Sequence, residues 1–422
     1  MEWLGEVPEH WHLRRLGYYF AERREKVSDQ DFPALSVTKH GIVPQLETAA
    51  KTDDGGNRKL VRRGDFVINS RSDRKGSAGV SDRDGSVSLI SSVLVPQEQV
   101  FGPFVHHLLR SVPFQEEYYR NGKGIVADLW STNFSDMKEI VLAVPPIEEQ
   151  ASLASFLGRE TAKIDELVAE QQRLIDLLKE KRRAVISHAV TKGLNPDAPM
   201  KSSGVEWLAE VPARWEIKRL KYIAERIVDC PHETPEYSSE GSYGVIRTAD
   251  LSHGVLRGSL MLRVDESEYA KRIRRAPLRT GDVVYAREGE RWGHAALVDR
   301  DDHYCLGQRM IQIIPAESKT ADFLMWSLNS DSTYRQGEVD TVGATSPHIN
   351  VERIRNFYLA WPPLEERAVI GERLLEATHD FDRLIAEAET AKHVLLERRS
   401  ALISAAVTGQ IDLHSLSQDN AA

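Results

Sequence analysis

His232 and Glu233, in the stretch PHETPEY, come as near to a metal-ligand pair as anything in this 422-residue chain. The prolines on both sides make a turn the simpler reading. Glu317, Ser318 and Lys319 have the form of the tail of a nuclease ExK motif, yet no Pro-Asp partner in a strand context precedes them. The run NPDAP (195–199) is similar to an amino-methyltransferase motif but lacks the aromatic residue that would stack on the base. Its Asn-Pro and Asp-Ala-Pro steps are linker chemistry. There is no GxGxxG after a strand, no P-loop, no HExxH and no paired CxxC, and the 14 histidines lack metal-ligand spacing. The expectation is a chain with no catalytic residue, no metal site and no cofactor of its own.

What remains is charge. The net charge of −9 argues on average against a nucleic-acid partner. Averages hide patches: residues 58–75 (RKLVRRGDFVINSRSDRK) sum to +5 and residues 271–291 (KRIRRAPLRTGDVVYAREGER) to +4. Local basic patches bind phosphates whatever the overall sum. One patch alone reads as a solvated surface; a second at a comparable point of a repeated chain changes the balance.

The chain is repeated. Ten of the seventeen residues from Glu2 to Tyr18 are identical, without a gap, to those from Glu206 to Tyr222. Pro145–Thr191 matches Pro362–Thr408 at a constant offset of 217, with 20 of 47 positions identical. Between these parts the halves share little beyond a Gly-Asp turn followed by a strand pattern, RRGDFVINS (62–70) and LRTGDVVYAR (278–287). A second strand-like segment, EIVLAVPP or NFYLAWPP, closes each half.

PPIEEQ and PPLEER read as helix starts, with prolines at the entry and carboxylates in the first turn. Basic residues crowd the later turns, and Gly193 or Gly409 stops each helix. A helix of about 43 residues is roughly 64 Å long at 1.5 Å per residue, longer than a small domain is wide. Its apolar stripe is Ile164, Val168, Leu174, Ile175, Leu178 and Val185 in the first copy, and Phe381, Ile385, Ala388, Leu395 and Leu402 in the second. The spacing of 3.5 to 3.6, broken by Gln171 and Lys181, fits a coiled-coil seam of low oligomer order. The obvious partner for each stripe is the other copy. An antiparallel pair would set the globular halves at opposite ends, as a pseudo-twofold.

Hydrophobic content of 41% and charged content of 28% describe an ordinary globular protein long enough for two to four domains. The acidic start has no apolar h-region, which argues against a signal peptide, and no run approaches a membrane span. Cys230 and Cys305 form neither a CxxC nor a disulfide framework, which fits a reducing cytoplasm.

Two divergent α/β halves, each ending in PP[IL]EE[QR] and a long helix closing in KRRAVISHAVTKG or ERRSALISAAVTG, resemble the specificity (S, or HsdS) subunits of type I restriction–modification systems. The opening EWL-x-EVP-x-x-W, repeated before each half, is also typical of that family. The resemblance implies an α+β fold: two globular α/β target-recognition domains joined by two long helices in an antiparallel coiled coil. Its expected segments are 1–146 and 206–363 for the recognition domains, 147–191 and 364–408 for the helices, 192–205 for a linker and 409–422 for a tail. It implies that each domain reads one half of a split double-stranded DNA target for methylation and phage defence, while the coil sets the gap. It also implies two methyltransferase (M) subunits docked on the coil and restriction-translocase (R) subunits beside them. S-adenosylmethionine, Mg²⁺ and ATP would then belong to those partners.

Phosphate contacts would come from Lys and Arg, and base reading from Arg, Lys, Asn, Gln or Ser at groove edges. In the first half the candidates are Lys39, Asn69, Arg71, Arg74, Lys75, Lys123 and Asn133. In the second they are Arg247, Arg287, Arg291, Trp292, Ser346, His348 and Asn350, where Asn133 and Asn350 coincide at the offset of 217. The pairs Arg14-Arg15 and Lys218-Arg219 are weaker candidates. Trp3, Leu4, Val7 and Trp11, with Trp207, Leu208, Val211 and Trp215, read instead as anchors for each domain. Two alternatives stay open: a specificity subunit of a type IIB-like bipartite-target system, which the neighbouring genes would discriminate, and a coiled-coil protein-interaction adaptor, which predicts no salt-dependent duplex binding. The missing motifs disfavour a stand-alone nuclease or methyltransferase.

Overall fold

A computed structural model describes residues 3–46, 55–71, 74–124, 130–258, 261–338 and 348–411. The chain divides into two compact units, Met1–Gln172 with Glu389–Ala422, and Arg173–Ala388. The division cuts each long helix, Ile147–Lys192 and Leu364–Val407, near its middle. Each unit therefore holds one α/β fold, half of one helix and the opposite half of the other.

In the first unit, His12–Arg15 pairs antiparallel with Val141–Val144 beside the entry of the first helix. Behind it lies a four-stranded antiparallel sheet in the order Phe20–Glu22, Ser91–Pro96, Phe66–Asn69, Ala78–Val80. The second unit repeats both: Glu216–Arg219 with Tyr358–Trp361, and a sheet ordered Ala224–Asp229, Met310–Pro315, Val283–Ala286, Ala295–Leu297. Sequences that share little thus build one frame. The Gly-Asp turns show how. Gly64 and Gly281 adopt φ of +95° and +88°, a region that costs other residues Cβ strain. Asp65 Oδ2 then accepts the Arg62 N–H and Asp282 Oδ2 the Arg279 N–H, both at 2.8 Å.

The opening motif seats each fold on its helices. Leu4 and Trp11 share a core with Leu153, Ala154 and Leu157 of the first helix and Ala406 and Val407 of the second. Leu208, Val211 and Trp215 do the same with Ile186, Ala189 and Val190 of the first helix and Ile370 and Leu374 of the second. Trp11 donates its indole N–H to Glu149 at 3.0 Å, and Trp215 donates to Glu366 at 3.0 Å. The expected linker is not wholly irregular, because Met200–Ser202 pairs antiparallel with Glu210–Pro212.

On the first helix the inward positions are Leu153, Leu157, Thr161, Ile164, Val168 and Gln171 in the first unit, then Ile175, Leu178, Arg182, Val185 and Ala189 in the second. Steps of three and four keep this stripe on one face. Phe381, Ile385 and Ala388, in the second unit, and Leu395 and Leu402, in the first, lie on the matching stripe of the second helix. Two expectations are corrected. Leu174 is 44% exposed, since neighbouring Ile175 takes the inward position and one residue is a rotation of about 100°. The second polar break falls on buried Arg182, while Lys181 faces outward.

Inside each unit the two helix segments run antiparallel. In the first, Asp165 pairs with Arg399 at 2.7 Å, and Lys392 donates to Gln172 at 2.8 Å. In the second, Arg182 pairs with Asp382 at 2.9 Å. No helix among the described residues is long and apolar enough to cross a membrane.

Candidate nucleic-acid interface

The strand after each Gly-Asp turn ends at a backbone node that the two units share. In the first unit the Ser70 N–H donates to the Ile90 carbonyl at 3.2 Å, the Thr132 N–H to the Ser70 carbonyl at 3.0 Å, and Arg71 bridges Ser131. In the second the Arg287 N–H donates to Arg309, the Ile349 N–H to Arg287, both at 3.0 Å, and Glu288 bridges His348. The matched pairs 70/287, 71/288, 131/348 and 132/349 all differ by 217. Two residues beyond each bridge, Asn133 and Asn350 cap a short helix, Phe134–Met137 or Val351–Arg355.

Around the first node the structure gathers Asn69, Arg71, Lys123 and Asn133. Asn69 is buried, and its Oδ1 accepts the Arg71 N–H at 3.1 Å, so it shapes the turn. Lys123, itself bridged to Ser131, is exposed and paired with Asp136. Arg74 is exposed, and Lys75 pairs with Glu116 and lies over the Tyr119 ring. Lys39 sits apart on an exposed turn between Leu35–Thr38 and Gly41–Pro44, where its carbonyl accepts from Arg110. Of the weaker pairs, Arg15 is tied to Glu139 and Arg219 to Asn356 and Tyr358.

The second node corrects two sequence expectations. Arg287 is only 3% exposed, held by Asp229 at 3.4 Å and Glu288 at 3.2 Å. Trp292 is a core residue stacked on Tyr334 with ring centroids 4.1 Å apart. Neither reaches a surface ligand, because burying their large apolar or paired groups is what holds the loop. Arg247 forms a two-pronged pair with Asp250 at 2.9 Å, and Arg291 donates to the Ala249 and Leu251 carbonyls at 2.8 Å. Ser346 lies outside the described residues.

In place of Arg287 the surface is formed by His348 and Arg309, both bound to Glu288, at 2.8 and 3.4 Å. His232 adds a further imidazole, 2.9 Å from Asp229. Glu288, Arg309 and Asp229 escaped the sequence reading because strand pairing, not proximity in sequence, unites them. The offset of 217 that links Arg71 to Glu288 was the signal available.

The two Gly-Asp carboxylates differ in environment. Asp65 meets the Arg23 guanidinium at 2.7 and 3.0 Å. Asp282 meets neutral Gln312 at 2.6 Å, and burial raises its pKa. Among the described residues no group of His, Cys, Asp and Glu side chains gathers to hold a metal.

Residues 212–397 match the family model described as the type I restriction modification DNA specificity domain. The chain is 22% identical to the putative type I restriction enzyme MjaX specificity subunit of Methanocaldococcus jannaschii, over 97% of this chain and 95% of that one. It is 23% identical to the type I restriction enzyme EcoKI specificity subunit of Escherichia coli K12, over 77% and 68%. Two solved structures share the fold at 17% identity. One is a chain from work on complex assembly and conformational transition of the type I R-M system, with a TM-score of 0.69 over 96% of this chain and all of that one. The other is the HsdS subunit of Thermoanaerobacter tengcongensis, at 0.50 over 96% and 98%. Residues 212–397 thus carry the specificity-domain match, the repeat carries the same frame into the first half, and the chain as a whole is similar over nearly its full length to type I restriction–modification specificity subunits.

Proposed function

We propose that each unit reads one half of a bipartite duplex DNA target, and that the paired helices fix the distance between the halves. The observation that carries this is the shared node: one backbone frame, built twice, with different side chains at its tip. Two linked readers gain affinity through effective concentration only when geometry lets both engage. The antiparallel ion pairs within each unit support a rigid spacer. The recognition domains are taken as 1–146 and 206–363.

The chain acts without catalysis of its own, consistent with relatives named specificity subunits. S-adenosylmethionine, Mg²⁺ and ATP belong on this reading to methyltransferase and restriction subunits, and the complex works in the cytoplasm where its DNA lies. Outward apolar residues on the helices support docking of two methyltransferase subunits: Leu167, Val394 and Leu396 in the first unit, Leu174 and Leu177 in the second. Soluble surfaces seldom leave such side chains clustered without a partner.

The test is duplex binding by the chain with its methyltransferase subunits. Affinity should fall steeply with salt as phosphate counterions are released. Adding one base pair between half-targets turns one by about 34° and should abolish high-affinity binding. Binding indifferent to both salt and spacing would favour the protein-interaction adaptor and overturn the proposal.

A further inference from the structure

The node has the same hydrogen bonds in both units, but its exposed side chains belong to different chemical classes. In the first, Ile90 is 44% exposed, next to exposed Leu89, and Trp130 lies exposed beside the Ser131 bridge. Apolar residues of this size are seldom left outward at the tip of a sheet beside an arginine, here Arg71. In the second, Arg309 takes the place of Ile90, Glu288 that of Arg71 and His348 that of Ser131. The Arg309 side chain is 54% exposed, with its Nε 3.4 Å from Glu288. Buried Arg287 holds Glu288 from beneath.

We infer that the positions 71, 90 and 131 in the first unit and 288, 309 and 348 in the second determine which bases each half-target contains. The inference rests on the DNA-reading function proposed above. The first set differs from the second in having apolar Ile90, with Arg71 and Ser131 beside it, at the place that Arg309 takes. In the major groove the one apolar feature of a base edge is the thymine methyl, so Ile90 selects a thymine. The second set offers a guanidinium fork steadied by a carboxylate. The matching edge is guanine, whose O6 and N7 accept two parallel hydrogen bonds, so Arg309 selects a guanine. Asn133 and Asn350, identical in the two units, serve both halves alike and set no difference between them.

Steric fit favours this assignment over a purely structural role for Arg309. It holds a φ of +70°, a region that disfavours side chains with a Cβ, at a place where glycine or asparagine would sit with less strain. A large cation on that backbone points to use of its side chain.

The experiment enriches a randomised duplex library of about 40 base pairs on the full chain with its methyltransferase subunits. It compares the natural chain with Arg309→Asn, Arg309→Lys, Ile90→Ser and Ile90→Val. Asparagine tolerates the left-handed backbone, so Arg309→Asn removes the fork without disturbing the fold. We expect Arg309→Asn and Arg309→Lys to lose a guanine preference at one position of one half-target, by roughly 10- to 100-fold. Ile90→Ser should lose a thymine preference in the other half only, and Ile90→Val should retain it. A split target that survives both Arg309→Asn and Ile90→Ser unchanged overturns the inference while the proposed function stands. Loss of a different base, or of both halves together, also overturns it. No enriched sequence from the natural chain overturns the proposed function, and this inference with it.

Discussion

Arg182 of the first helix and Asp382 of the second form an ion pair at 2.9 Å, and their repeat counterparts Arg399 and Asp165 form another at 2.7 Å with the helices' roles exchanged. The side chain of Arg182 is only 8% exposed and also donates to the His253 carbonyl at 2.9 Å, whereas Asp382 is largely solvated. Arg182→Ala should therefore cost about 3 kcal/mol, since it breaks the ion pair of a buried guanidinium, removes the donor to the partly buried His253 carbonyl and empties a place over the Trp326 ring. Asp382→Ala should cost under about 1 kcal/mol. Urea unfolding followed by hydrogen exchange within residues 173–388 distinguishes the two.

The helix-end glycines meet the opening tryptophans. A Cβ on Gly409 would stand 2.3 Å from Pro8 Cδ, and one on Gly193 would stand 3.1 Å from the Trp215 ring, with φ of +76° and +77°. Both Gly→Ala changes should destabilise, Gly409→Ala more, by about 2 to 4 kcal/mol, because it strains the backbone and forces Pro8 away. Thermal unfolding of the two variants side by side gives the order.

Arg287 and Lys39 separate structure from binding. Arg287→Ala leaves Asp229 and Glu288 without their common cation and should destabilise the second unit by about 2 kcal/mol. Lys39→Ala removes an exposed charge and should leave unfolding unchanged within about 0.5 kcal/mol. On the proposed function it weakens DNA binding across all sequences and reduces the salt slope by about one. Salt titrations of both variants measure the split.

His253 supplies a pH dependence. Burial first, then His294, Arg182 and Arg183, lower its pKa to about 4. The unfolded chain takes up this proton near pH 6.5, so the contribution to stability is complete above that value and is lost as pH falls to about 4. The loss is on the order of 3 kcal/mol. His106 and His107, lowered chiefly by burial to about 3 and about 4, act in the same direction in the first unit. His253→Gln should flatten the decline between pH 7 and 4.5 in urea midpoints.

The long helices and the opening motif were legible because they are written twice, and because inward residues recur at 3.5. Legibility stopped at neighbours: Leu174 and Ile175 are equally apolar, and only the three-dimensional rotation assigns one inward. The common four-stranded order was hidden, since Val67 and Val284 belong to the same frame within stretches that otherwise diverged. At the candidate interface, residue type pointed to the right loops and to some wrong side chains. Arg287 and Trp292 look like ligands for DNA by composition, yet their positions after a buried strand place them inside. Arg309 lies far from Glu288 in sequence and meets it only through the pairing of Val283–Ala286 with Met310–Pro315.

The packing of Gly409 against Pro8 and Trp11 has a bearing on how such a chain came about and can be rearranged. The first unit is closed by a segment that arrives from the far end of the polypeptide, and the second takes its closing segment from the first repeat. That is the connectivity of a domain-swapped dimer whose subunits have been fused head to tail. Scission within residues 194–199 would leave fragments that complete each other and are each incomplete alone. New ends placed there, with the chain after Gly409 joined to the segment that carries Leu4, would give a circular permutant of the same fold.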